Sequence, residues 1–205
     1  MNHISLTRIL VALSVASFAV LPIVTATSIR PPSFAQLVDQ SDRVVRAAVQ
    51  SIRSYEDSYE GEQIVRTGVT LTLLESINGN VPTGELKIRL LGGEVPGLRL
   101  DVGGMPKFEV GKELVLFLHP QGRFICPTVG WGHGKYYIDR SGANGVARVR
   151  RSNGNLLQNL QQISAPIHPH GEQVNGLSAG FLSGMSLDQF RLSVQQRVEP
   201  GRQSE

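Results

Sequence analysis

The chain has 205 residues, with 20 lysines and arginines against 17 aspartates and glutamates, and its cations are scattered along the sequence. A nucleic-acid-binding protein concentrates basic residues on one face, so this composition argues against a nucleic-acid partner. The single cysteine, Cys126, excludes an intramolecular disulfide, so the fold must depend on its hydrophobic core.

The N-terminal segment has the features of a cleavable signal peptide. Arg8 precedes an almost unbroken apolar run at residues 9–24, and small residues follow where a signal peptidase cuts. The run is about 16 residues long, shorter than the roughly 20 that a membrane span needs. We therefore expect residues 1–26 to be removed, no membrane span after cleavage, and a secreted or periplasmic protein.

A short helix is predicted from Phe34 to about Gln40. Ser33 and Gln36 match a capping box, in which each side chain satisfies a backbone donor of the other residue.

Four later segments have the pattern of β-strands. Residues 44–52 come first, and residues 64–76 and 85–91 alternate between apolar and polar side chains, as half-buried antiparallel strands do. Residues 113–118 contain five consecutive apolar side chains, which predicts a strand covered on both faces. We therefore expect Leu116→Asp to abolish folding.

Turns and further strands follow from the remaining pattern. A hairpin is predicted between residues 135–139 and 146–150, and a short strand at residues 123–125. The acidic run at residues 55–60 is interpreted as a solvated hairpin loop, and Arg151→Ala is expected to leave folding intact.

The glycine-rich residues 92–111 are predicted to form a long connection, which in a compact domain is usually functional. A second capping box, Ser186 with Gln189, starts an amphipathic helix predicted from Leu187 to about Val198.

Several short strands joined by turns favour a mainly β fold, either a sandwich or a small antiparallel barrel. The predicted organisation divides the chain into a signal peptide at residues 1–26, a β-barrel domain at 27–152, a linker or irregular arm at 153–185 and a C-terminal helix at 186–199.

Within residues 33–138, short motifs combine apolar strand positions with glycines. They are Phe34-x-x-Leu37-Val38, Val69-x-Leu71-x-Leu73-x-Glu75, Gly103-Gly104-Met105-Pro106 and Val129-Gly130-Trp131-Gly132. This pattern resembles an uncharacterised family of exported bacterial proteins and covers roughly half the chain. The resemblance implies an OB-like barrel of the netrin and tissue-inhibitor-of-metalloproteinase type. Together with the two helices predicted above, the expected fold is a small OB-like antiparallel barrel with a short N-terminal helix and a C-terminal amphipathic helix.

One departure from the metalloproteinase inhibitors is decisive. Those proteins chelate the protease zinc through a cysteine at their mature N-terminus. Here the predicted N-terminus is Thr27, and Cys126 lies far along the chain, so this inhibitory chemistry cannot be transferred.

The best candidate for a binding site is the aromatic segment after residue 129. Trp131 stands between glycines, and His133, Tyr136 and Tyr137 follow, so the segment can present aromatic anchors to a partner. The alternative is that Trp131 covers the open end of the barrel.

Cys126 is the candidate nucleophile, with His119 or His133 as its base. The alternative is a small buried apolar residue. His168 and His170 are too few to close a metal site, and no cofactor or metal is expected.

These features predict an exported, non-enzymatic binding domain. The expected partner is a protein or a cell-envelope polymer, with a secreted protease as one candidate by analogy of fold. Two alternatives remain open: a hydrolase or transferase that uses Cys126 with a nearby histidine, and an envelope-associated structural component.

Overall fold

The computed structural model of the protein describes residues 30–120, 125–142, 145–167 and 184–202. The predicted signal peptide, His168 and His170 lie outside the described residues, as does most of the strand predicted at residues 123–125. No helix within the described ranges is long and apolar enough to cross a membrane.

The described chain is mainly β. In chain order its elements are α1 (Phe34–Asp39), β1 (Arg43–Tyr59), β2 (Glu62–Asn78), β3 (Glu85–Leu91), β4 (Gly93–Val95), β5 (Leu98–Leu100), β6 (Glu113–Leu118), a 3₁₀ turn (Trp131–Gly134), β7 (Lys135–Asp139), β8 (Arg148–Arg151), a second 3₁₀ turn (Leu160–Ser164) and α2 (Leu187–Arg202). The strands predicted at residues 44–52, 64–76, 85–91, 113–118, 135–139 and 146–150 are therefore confirmed as elements, although β1 extends well beyond its predicted end. Ile125, the one described residue of the strand predicted at 123–125, lies in a bend.

Six strands form one antiparallel sheet in the order β3-β2-β1-β6-β7-β8, and β4 pairs with β5 as a separate hairpin. The six strands do not form a closed barrel, because β3 and β8 lie at the two ends of the sheet. Three register shifts interrupt the pairing of β1 with β2, and bulges of this kind bend and twist a strand.

Strand β6 separates two hydrophobic cores. Val115 and Phe117 belong to the core under the helices, whereas Leu114, Leu116 and Leu118 belong to the core inside the β1–β2–β3 end of the sheet. We call these the helix-side core and the inner core. All five side chains are buried, which confirms the prediction of a strand covered on both faces.

Both predicted capping boxes are present. Ser33 and Gln36 exchange backbone and side-chain hydrogen bonds at the start of α1, and Ser186 and Gln189 do so before α2. In α2, Phe190 packs against the rings of Phe117 and Tyr136, with centroids 6.0 and 5.0 Å away. The helix ends at Arg202, past its predicted end at about Val198, so Pro200 does not stop it.

Two predicted loops contain regular structure. The acidic run at residues 55–60 belongs to β1 as far as Tyr59, and the turn consists of Glu60 and Gly61. The connection at residues 92–111 holds the β4–β5 hairpin. Residues 55–59 pair with β2, and β4 pairs with β5 across a short turn. Composition alone suggested loops, because strand formation depends on such cross-strand partners.

Residues 153–167 of the predicted arm pack against the sheet, and Leu157 and Ile163 are fully buried in the helix-side core. Arg151 is also buried, and its guanidinium donates a hydrogen bond to the carbonyl of Ala165. Arg151→Ala leaves this contact unmade, at a cost of roughly 1–3 kcal/mol, so the variant is expected to be less stable, and its ability to fold stays a prediction.

Candidate functional site

A groove of about 410 Å³ lies on the inner-core side of the sheet, at the end where β1, β2 and β3 meet the β4–β5 hairpin. We call it the inner groove. Two groups of residues line it: strand residues, chiefly Ile52, Ser54, Thr67, Val69 and Leu90, and residues of the following connection, chiefly Glu94, Arg99, Leu100, Val102, Met105 and Phe108. The groove therefore combines an apolar surface with charged side chains.

Two consecutive glycines allow the chain to cross from β3 into β4 beside the groove. Gly92 and Gly93 have φ values of 99° and 140°, which side chains rarely adopt. A Cβ at residue 93 would lie 2.6 Å from the hydroxyl oxygens of Ser54 and Thr67. The Thr67 hydroxyl donates a hydrogen bond to the Gly92 carbonyl at 2.7 Å, so this crossing is fixed to the sheet.

The charged groups at the groove have both signs. Arg99 lies 3.7 Å from a carboxylate oxygen of Glu94 and 3.7 Å from one of Asp101. All three side chains are exposed, so these ion pairs contribute little stability and remain available to a partner.

A buried lysine holds one side of the groove in place. Lys135, on β7, is 1% exposed and donates hydrogen bonds from Nζ to the Lys107 carbonyl and to the Tyr137 hydroxyl, the latter at 2.8 Å. The same Nζ lies 4.1 Å from the ring centroid of Tyr137 and 5.4 Å from that of Phe108, within cation–π range. Lys135 thus fixes residues 107 and 108, which line the groove.

The surroundings of Lys135 and Tyr137 shift the pKa of both side chains. Burial lowers the pKa of Lys135 to about 8, against the opposing effect of the Glu109 carboxylate. Burial and the same carboxylate raise the pKa of Tyr137 to about 12. Burial therefore makes the protonated form of Lys135 less favourable in free energy, and the Lys107 carbonyl and the rings of Phe108 and Tyr137 offset part of this penalty.

The structure divides the four residues predicted to bind a partner. Tyr136 is buried in the helix-side core, and His133 is buried with its Nδ1 3.3 Å from the Ile163 carbonyl. Trp131 and Tyr137 are partly exposed and pack against the inner core, as Met105 and Phe108 of the groove do. Alternation along β7 explains the split, because Tyr136 and Tyr137 point to opposite faces.

Cys126 lacks the surroundings that activate a thiol. It is buried, its Sγ lies 3.0 Å from the hydroxyl of Thr128, and burial raises the pKa of the thiol. A nucleophilic cysteine needs the opposite shift. Burial also lowers the pKa of His119 and of His133. Within the described ranges, no three His, Cys, Asp or Glu side chains cluster as a metal site would require.

Lys135 is the residue that the sequence analysis missed. The period-two pattern of β7 places Lys135 on the same face as Tyr137, and that pairing was the available signal. The groove itself had a weaker signal in the glycine-rich residues 92–111.

No known protein family matches the chain by its sequence pattern, and no curated protein matches it either.

Proposed function

We propose that the protein is an exported, non-enzymatic binding domain that receives an extended peptide segment of a partner protein in the inner groove. The observation that carries this proposal is the groove itself, about 410 Å³ in volume and lined by apolar and charged residues together. Binding sites are typically concave and mostly apolar, with a few polar groups that fix orientation.

A peptide suits the mixed lining better than a uniform polymer does. Ile52, Val69 and Phe108 offer apolar contact for side chains, whereas Glu94 and Arg99 offer opposite charges. A peptide can supply apolar groups and both charges within a few residues. A secreted protease is one candidate partner, by the analogy of fold.

We further propose that the mainly β fold is an OB-like barrel. It is supported by the register shifts between β1 and β2 and by one contact across the open side of the sheet. There the Leu91 amide donates to the Ile125 carbonyl at 3.0 Å, linking the end of β3 to the segment after β6.

The test fills the groove without disturbing the core. Ile52 is 37% exposed in the groove and Leu192 is 50% exposed on α2, so Ile52→Trp and Leu192→Trp add the same bulk at two exposed apolar positions. A partner captured from the secreted and envelope fractions is then purified, and its affinity is measured for the wild type and both variants.

We expect Ile52→Trp to weaken binding at least about tenfold, or about 1.4 kcal/mol, and Leu192→Trp to leave it unchanged. Equal affinities for all three proteins would refute the groove as the binding site. If Cys126→Ser weakens partner binding while the protein still folds, the result would instead favour the alternative of an enzyme that uses Cys126.

A further inference from the structure

The opposite, outer face of β1–β2–β3 gathers cations that are distant in sequence. Residues directly opposite in an antiparallel pair project to the same face. Arg53 is opposite Gly68, and Gly68 is opposite Arg89, so the two arginines flank a glycine in one row across three strands. Lys87 lies in the next row, opposite Thr70, and Arg66 is opposite Tyr55.

The two arginines beside Gly68 are the available cations of this face. Arg66 is engaged, because its Nε donates to the Asp57 carboxylate at 2.6 Å. Lys87 lies 3.7 Å from Glu85, and both of those side chains are exposed. Arg53 and Arg89 are exposed and form no ion pair at contact distance with any residue in the described ranges.

An aromatic ring occupies the space between them. The Cε1 atom of Tyr55 lies 3.5 Å from the point where a Cβ at residue 68 would stand, so the ring covers Gly68. Tyr55 remains partly exposed. Hydroxyl groups continue the same face beyond this row: Ser51 and Thr70 lie opposite each other in the next row, and Thr72 lies in the row after that.

We propose that this outer face binds an anionic polysaccharide, with Arg53 and Arg89 holding its carboxylates and Tyr55 packing on a sugar ring. Two strand spacings of roughly 4.8 Å separate the backbones of the two arginines by about 10 Å. That separation is comparable to the length of one disaccharide, so it suits a glycan with one carboxylate per disaccharide.

The other residues of the outer face argue against a more densely charged ligand, such as a nucleic acid. Asp57, Glu62 and Glu85 project to the same face and would repel closely spaced phosphates. A single-stranded nucleic acid is usually bound through aromatic rings that stack on successive bases in a positive groove. Sugar hydroxyls, in contrast, match the serine and threonine hydroxyls in the rows next to the two arginines. The inference is independent of the inner groove and of its partner.

The test measures binding of hyaluronate, neutral dextran and a single-stranded oligonucleotide to the full-length protein. Arg53→Ser with Arg89→Ser removes both proposed contacts. Arg30→Ser with Arg197→Ser is the matched control, because it removes the same charge from exposed positions outside the outer face. Thermal melting of each variant confirms that it is folded.

We expect hyaluronate to bind and dextran not to bind, with affinity falling as salt is raised. The Arg53 and Arg89 double variant should bind at least about tenfold more weakly, and the control should match the wild type. Tyr55→Leu should weaken hyaluronate binding severalfold without changing its salt dependence.

Three results would overturn the proposal. If hyaluronate does not bind, the proposed site is refuted. If both double variants lose the same affinity, net charge alone accounts for the binding. Tighter binding of the oligonucleotide than of hyaluronate would assign the face to nucleic acid.

Discussion

Lys135 is the residue on which the geometry of the inner groove depends. An ammonium group in an apolar environment is costly unless other groups compensate for its lost hydration. Here the Lys107 carbonyl and the rings of Phe108 and Tyr137 provide that compensation. A residue in the core of the sheet thereby fixes a surface connection, and replacing it should loosen the wall of the groove while the sheet persists.

The charge of Lys135 should make stability depend on pH. Its pKa is about 8 in the folded protein, below the unfolded value of about 10.4. Between these values the unfolded state binds more protons, so this residue's contribution to stability rises as pH increases, by at most about 1.4 kcal/mol per pH unit. Below about pH 8 both states are protonated and the full cost remains.

Urea unfolding of the wild type and Lys135→Met at pH 7, 8 and 10 measures this contribution. Subtracting the two free energies of unfolding cancels Cys126 and the tyrosines that do not contact Lys135, because these titrate alike in both proteins. We expect the difference to shift in favour of the wild type by about 2 kcal/mol from pH 8 to pH 10 and by less than about 0.5 kcal/mol from pH 7 to pH 8. A constant difference over the whole range would contradict the shifted pKa.

Trp131 combines a partly buried ring with a strained backbone. Its φ is +57°, a left-handed conformation that costs a residue with a Cβ roughly 1–2 kcal/mol. Removing the side chain should lower stability by roughly 2 kcal/mol, less than for a fully buried ring. We expect Trp131→Gly to be more stable than Trp131→Ala by about 1 kcal/mol, because glycine relieves the backbone.

Chemical denaturation of both Trp131 variants tests this order. The partner's affinity for the same proteins separates the two roles considered for the side chain. Lost stability with unchanged affinity assigns Trp131 to the inner core, whereas lost affinity in a stable protein assigns it to recognition. A Trp131→Ala protein more stable than Trp131→Gly would contradict the strain.

At the scale of the element, β6 is the strand that both cores require. Leu116→Asp would place an unpaired carboxylate in the inner core, at a cost of several kcal/mol. Domain stabilities are about 5–15 kcal/mol, so we expect this variant not to fold cooperatively. Leu74→Asp is the control, since Leu74 is 44% exposed on β2 and should lose less than about 1 kcal/mol.

Circular dichroism and thermal melting of the two leucine variants measure the outcome. A cooperative transition for Leu116→Asp near that of the wild type would show that the side chain at residue 116 is not enclosed. Similar losses in both variants would show that an added charge alone, rather than its burial, limits folding.

At the scale of the whole molecule, the β1–β2–β3 end has two surfaces of different chemistry. Its inner face carries the groove, with apolar residues and charges of both signs. Its outer face carries Arg53 and Arg89 on either side of Tyr55. Because side chains alternate along a strand, one set of three strands supplies both surfaces.

The sequence by itself determined the local elements of this protein. Alternation placed β2 and β3, continuous apolar residues predicted that β6 is covered on both sides, and capping boxes located the start of α1 and α2. These signals are reliable because each arises from neighbours within one turn or one strand.

Only the tertiary structure decided the surfaces and the buried polar residues. The scattered cations of the sequence become one outer face because β1, β2 and β3 align Arg53 with Gly68 and Arg89. Lys135 is buried because residues 107 and 108 fold over it. Such contacts join residues about 15 to 30 positions apart, and no local pattern specifies which partner a strand or side chain will meet.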